Sequence, residues 1–363
     1  MSGFPINRFD HLEFYVGNAR QAAVFYTRCF GFTPTAYRGL ETGSREVASH
    51  VLEQGDIRFV VSTALRADHP IAQATLKHGD HVAIMALDVP DVVTAFKEAT
   101  ARGAIAVTEP TELEDGNGLF RYAAIQVYGD TIIKFIDRSD YTGIFAPGFQ
   151  RKYPNAANLI NPGLKVIDHI VGNVELGAMD PWVKFFSETM GFETLVRFDD
   201  QAISTEYSAL MSTVVQNSTG KIKFPINEPA PGKRKSQIEE YLDYNNGPGV
   251  QHIALATDNI IETISRLRAS GVEFLQVPDT YYADLEQRVG TIREATHRLA
   301  ELGILVDRDH KGYLLQIFTQ PVQDRPTLFF EVIQRCGAEG FGEGNFKALF
   351  EAIEREQQVR GNL

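Results

Sequence analysis

Four stretches of this 363-residue chain follow one pattern, and that repetition limits the possible fold more than any other feature. Each stretch is a short apolar strand with a histidine in it, then a loop, an amphipathic helix and a glycine. The strands are Phe9–Val16, His81–Leu87, Ile167–Val171 and Gln251–Leu255. Helices are expected over Ala19–Cys29, Val89–Ala101, Pro181–Met190 and Ile260–Ser270, stopping at Gly31, Gly103, Gly191 and Gly271. Glycine accepts the left-handed backbone that ends a helix. Further strands follow each helix: Ile57–Ser62, Ala123–Tyr128, Thr131–Ile136, Thr205–Gln216, Ile222–Ile226 and Tyr313–Phe318. The expected architecture is α+β, with four βαβββ units paired into two domains. Each domain is an open curved-sheet barrel, because pairing curved sheets hides strand edges and encloses a cavity.

A turn-rich run, Gln150–Gly163, contains Pro154, Asn155, Asn158, Asn161 and Pro162 and divides the chain. It predicts an N-terminal scaffold domain over 1–150, a linker over 151–163 and a second domain over 164–363. The second half carries additions. Lys233–Tyr244 reads as a helix, Asp284–Leu302 as a helical insertion, and Asn345–Gln358 as an amphipathic helix. In the last, Phe346, Leu349, Phe350 and Ile353 fall at helical spacing, so it should pack on something.

The net charge of −12 argues against a nucleic-acid partner and against an anionic membrane surface. The basic run Lys233–Lys235 lies beside Glu239 and Glu240 and reads as a solvated helix start. Cys29 and Cys336 have no metal-binding spacing and suit a reducing compartment. No apolar run reaches the length of a signal peptide or a bilayer span, so a cytoplasmic location is expected.

Three polar residues sit inside apolar strand-like runs: His169, His252 and Glu331. A histidine in such a place is ordinarily a satisfied core residue, and a lone buried acid is costly. Here two imidazoles occupy matching places in two repeats, and Phe330 and Val332 offer Glu331 no charge partner. Two histidines and one carboxylate form the facial triad of non-haem Fe(II) oxygenases, with positions left open. Structural zinc prefers four protein ligands, often thiolates. The first half serves as an internal control. His11 is expected at the place of His169, His81 at that of His252, and Phe135 at that of Glu331, with Asp137 two residues off. That half is therefore expected to bind no metal.

The second half also resembles the 4-hydroxyphenylpyruvate dioxygenase family of the vicinal-oxygen-chelate superfamily. The resemblance is carried by Phe224–Pro229, Lys233–Gln237, Gly249–Ala254, Gly303–Asp307, Tyr313–Thr319, Asp324–Thr327 and Gly340–Phe346. It implies Fe(II) held by His169, His252 and Glu331, with 4-hydroxyphenylpyruvate and dioxygen as substrates. Oxidative decarboxylation, ring hydroxylation and side-chain migration would then give homogentisate. By the same resemblance Gln237, Gln251 and Gln316 are pocket glutamines with catalytic roles. Ser212 and Asn227 lie near the phenol, Phe318, Phe329, Phe341 and Phe346 form an aromatic wall, and Asn345 starts a C-terminal lid helix. A homodimer or homotetramer is implied as well. 4-Hydroxymandelate synthases share the substrate and the metal, but they look different where this chain has Pro225–Asn227 and Phe346. A non-catalytic binding protein would need no metal triad. An extradiol ring-cleaving enzyme would want a His or Tyr beside the metal instead of glutamines.

Overall fold

The central strands of this chain are buried on both faces, because one face meets helices and the other lines a barrel. The computed structural model describes residues 3–152, 160–199 and 208–362. Pro154, Asn155 and Asn158 of the expected linker, and Thr205 at the start of an expected strand, lie outside these residues.

The first sheet contains β1 (Arg8–Tyr15), β2 (Thr33–Arg38), β3 (Val47–Gln54), β4 (Ile57–Ala64), β5 (His81–Asp88), β6 (Ala106–Asp115), β7 (Gly118–Gln126) and β8 (Ile132–Asp137). Their order is β2-β3-β4-β1-β5-β8-β7-β6. The second sheet contains β9 (Leu164–Asn173), β10 (Glu193–Phe198), β11 (Ala209–Gln216), β12 (Lys223–Ala230), β13 (Gly249–Thr257), β14 (Leu305–Arg308), β15 (Tyr313–Phe318) and β16 (Phe329–Cys336). Its order, β10-β11-β12-β9-β13-β16-β15-β14, repeats the first position by position. In each unit the leading strand lies parallel to the last, as β1 does to β4 and β13 to β16. The leading strands of paired units meet antiparallel, β1 on β5 and β9 on β13. This is the expected set of four βαβββ units.

The four helix-ending glycines Gly31, Gly103, Gly191 and Gly271 all have positive φ, between 70° and 106°. Two expected helices are corrected. The run at Lys233 becomes helical only over Gln237–Asn245, because Ser236 caps it reciprocally with Glu239. The insertion is two helices, Leu285–Val289 and Thr296–Leu302, separated at Gly290, where φ is 65°.

One apolar cluster runs through both halves. Phe330 packs on Phe30 at 5.0 Å and Tyr26 at 6.0 Å, and Phe9 packs on Phe224 at 5.8 Å. Gly172 permits one close approach, since a Cβ there would lie 2.5 Å from the Tyr128 ring. The concave faces differ. In the first half, Tyr141, Phe145 and Ala146 fill the barrel against Val51, Val60 and Phe120. In the second, the C-terminal helix Phe346–Arg360 lies across the opening and leaves a pocket beneath it. Among the described residues no helix is long and apolar enough to cross a membrane.

Candidate metal centre

Strand register brings the three polar residues together. His169 on β9 stands beside Ala254 on β13, and Ala254 beside Glu331 on β16. His252 is two residues along β13 and so faces the same way. The small Ala254 between them leaves room for converging side chains. Nε2 of His169 lies 3.1 Å from Oε2 of Glu331, and Nε2 of His252 lies 3.5 Å from the same oxygen. All three residues are buried, and theirs is the one group of ligand-type side chains with metal-binding spacing among the described residues. Ligands about 2.1 Å from a metal and about 90° apart stand about 3 Å from each other, so the spacing suits one ion.

The far sides of both rings are fixed. Asp168 accepts from Nδ1 of His169 at 2.8 Å, and the Gln251 amide oxygen accepts from Nδ1 of His252 at 2.9 Å. With the proton held at Nδ1, each Nε2 lone pair is free for a metal. Arg335 grips both Asp168 oxygens, at 2.7 and 2.8 Å. Phe329 stacks on His252 at 4.8 Å, and Phe341 meets His169 edge-on at 5.0 Å.

Charge within the trio is balanced tightly. Burial pushes the Glu331 carboxyl up, but His169 and His252 overcome that and hold it at about 2. Burial lowers the His169 pKa, yet Glu331 and Asp168 outweigh it and leave the ring above its ordinary value. For His252 burial wins, and the ring is pushed down. Without metal, His169 therefore holds its proton to higher pH than an ordinary histidine. A divalent ion must displace that proton. Metal affinity is expected to rise with pH until His169 is deprotonated, and uptake to release protons at pH values where His169 is charged. Titration in weak buffer reads this directly; metal binding without proton release would contradict it.

Ser212, Asn227, Gln237, Gln251, Phe318, Phe329, Phe341 and Phe346 line the pocket together with the trio. Ser212 and Asn227 are direct register partners on β11 and β12. Two further residues named by the resemblance, Gln316 and Asn345, are buried beside the segment that leads into the C-terminal helix. Gln316 shares a strand face with Phe318 and, across the ladder, with Glu331, and its amide occupies the space over Gly342; a Cβ there would be 2.4 Å from the Gln316 amide nitrogen. Asn345 stands at the start of the C-terminal helix, and its amide oxygen accepts from Tyr281 Oη at 2.6 Å. Sequence reasoning missed Phe198, Leu210 and Pro225 in the lining, and Asp168 and Arg335 behind the ligands. The last two had a legible signal, since an Asp-His pair and a following arginine recur in both halves.

The first half corrects the expected correspondences. His11 stands beside Ala86, and Ala86 beside Lys134, so Lys134 and not Phe135 occupies the place of Glu331. Phe135 faces the helix side and packs on Phe4 at 5.3 Å. Two residues back from Ala86 is Ile84, so Ile84 and not His81 matches His252. His81 sits at the strand start beside Tyr15 and His78. His11 keeps its support, with Asp10 at 2.5 Å and Arg138 gripping Asp10 at 2.6 and 2.7 Å. An isoleucine and a lysine thus replace two ligands.

The Glyoxalase/Bleomycin resistance protein/Dioxygenase superfamily model matches residues 8–130 and 166–317. Curated relatives named 4-hydroxyphenylpyruvate dioxygenase are 52% identical in Danio rerio and 50% identical in Yarrowia lipolytica. Each alignment covers 98% of this chain, and 92% and 93% of the relative. The chain belongs to the 4-hydroxyphenylpyruvate dioxygenase family. A solved triple mutant of 4-hydroxymandelate synthase from Streptomyces coelicolor superposes with a TM-score of 0.88. It is 33% identical, with 98% of this chain and all of that one covered. The fold reaches further, to a Mn(II)-bound glyoxalase from Novosphingobium aromaticivorans at a TM-score of 0.52 and 14% identity, covering 92% of this chain and 83% of that one.

Proposed function

We propose that this protein is a ferrous-iron dioxygenase that converts 4-hydroxyphenylpyruvate and dioxygen to homogentisate and carbon dioxide. The observation that carries this reading is the buried His169, His252 and Glu331 cluster opening into an aromatic pocket, in a chain about half identical to dioxygenases of that name. The donor set fits ferrous iron. It offers two imidazoles with Nε2 exposed to a shared point, one carboxylate, and no fourth protein ligand among the described residues. Bound there, ferrous iron supplies the electron-transfer chemistry that lets dioxygen react with a 2-oxo acid.

The rest is the work of the chain. His169, His252 and Glu331 would hold the ion, with the aromatic pocket beside it to receive the substrate's 2-oxo acid group. Asp168 and Gln251 keep the two imidazoles in the ligating tautomer. Phe318, Phe329 and Phe341 wall the site with apolar surface, which keeps water from the reacting atoms and orients a ring. Ser212 and Asn227 offer hydrogen-bonding groups where the phenol would lie, and Gln237 adds a neutral amide that leaves the site's charge unchanged. Gln316 supports the lid hinge beneath Gly342 in this conformation. Its Oε1 is buried without a partner, which leaves it able to accept a hydrogen bond from a ligand or a water.

The rival product is 4-hydroxymandelate, made from the same substrate. The chain's identity to the synthase is 33%, against about half for the dioxygenases, and the sequence resemblance assigns Pro225, Asn227 and Phe346 to the ring-hydroxylating pattern. Chromatography of the aerobic reaction is expected to show homogentisate as the main product. Hydroxymandelate in its place would overturn the assignment.

A further inference from the structure

The Arg335 guanidinium is bonded to two different parts of the protein. Nε and Nη2 grip Asp168, which holds His169. Nη1 donates to the backbone oxygens of Gly340 at 2.6 Å and Ala338 at 3.3 Å. That backbone leads into the helix covering the pocket. The same segment is tied from its other side by Asp309, which accepts from the amides of Glu339 at 2.8 Å and Gly340 at 2.9 Å. Asp307 holds the Gly344 amide at 3.0 Å. Phe341, between these ties, lies against both the His169 ring and the Arg335 guanidinium. One planar fork therefore spans from the support of a metal ligand to the hinge of the lid. Lysine has a single ammonium and cannot make both sets of contacts in fixed geometry.

We propose that Arg335 is a positioning residue that couples seating of the C-terminal helix to the orientation of the metal ligand His169. The inference rests on the metal reading above. The chain supplies its own comparison. Arg138 grips Asp10 in the same way and donates to the Phe145 oxygen, and Phe145 meets His11 edge-on at 5.2 Å. There the clamped segment is packed into the barrel, and no triad is found among the described residues. In the second half the clamped segment instead borders a pocket and carries glycines at 340, 342 and 344. The shared clamp holds a closing segment across each barrel, and only in the second half does it join that segment to a metal site.

Linkage makes the coupling measurable in both directions. Backbone hydrogen exchange at Gly340 and Phe341 should be followed in the intact chain, with and without Co(II) as an oxidation-resistant substitute for ferrous iron. In the wild type, Co(II) is expected to slow this exchange by about tenfold, within the usual range of coupling between sites. Arg335→Lys should still bind Co(II) but show less than about a twofold slowing, and Arg138→Lys should slow as the wild type does. In the reverse direction, Asp309→Asn, which loosens the hinge, should weaken Co(II) binding in the wild-type background and not in Arg335→Lys. Equal slowing in Arg335→Lys and wild type, or Co(II) binding without slowing in the wild type, overturns the coupling alone. A wild-type protein that binds no divalent metal overturns the metal reading and this inference with it.

Discussion

Glu331→Ala is expected to lower turnover at least about a thousandfold, equivalent to about 4 kcal/mol of lost transition-state stabilisation, while the protein stays folded. Glu331 is the one carboxylate of the cluster and stands within 3.5 Å of both imidazoles. Without it, two neutral rings hold a ferrous ion poorly, and affinity should fall by more than the 10–100-fold typical of losing an outer-shell partner. The fold should survive because the β16 ladder is made by backbone groups and its flanking residues Phe330 and Val332 are fully buried on the other face. The loss also removes a group that raises the His169 pKa, so metal uptake by the variant should release fewer protons than uptake by the wild type. Circular dichroism, iron content and oxygen consumption measured on one preparation separate these effects. A folded variant with wild-type iron and activity would show that the carboxylate is not a ligand.

Deleting residues 345–363 is expected to lower turnover about a hundredfold with much less effect on metal content. The helix carries none of the three ligands. Its apolar side, Phe350, Ala352 and Ile353, packs over Phe198, Leu210, Phe318 and Phe329. Its polar side is fastened by Arg360 to Glu240 at 2.7 Å and by Glu354 to Ser208 at 2.6 Å. Removing it opens the aromatic pocket to water while the sheet beneath remains. Steady-state kinetics beside metal analysis of the truncated chain measures both; unchanged kinetics would rule out a covering role.

Much of this architecture was legible because it is written four times. Strand, capped helix and glycine recur, and both sheets follow from them. The trio was legible because a charged group amid Phe330 and Val332 demands a partner. Register was not legible. Thr131–Arg138 is apolar on both faces, so a shift of one residue exchanges Phe135 for Lys134 without disturbing the pattern, yet it reverses the face each side chain meets. His81 misled for a similar reason: it is a histidine at a strand start, and only the ladder with β1 shows that Ile84 is the residue level with His252. The placement of Gln316 and Asn345 depended on what occupies the space next to them, Gly342 and Tyr281, which no local pattern encodes.

The central claim is that three side chains, distant in sequence, hold one ferrous ion with open positions. Anaerobic calorimetric titration of ferrous iron into the wild type and into His169→Ala, His252→Ala and Glu331→Ala tests it most directly. The account predicts a single tight site in the wild type, weakened at least about a hundredfold in each variant. Two sites per chain, or a tight site that survives any one of these substitutions, would contradict it.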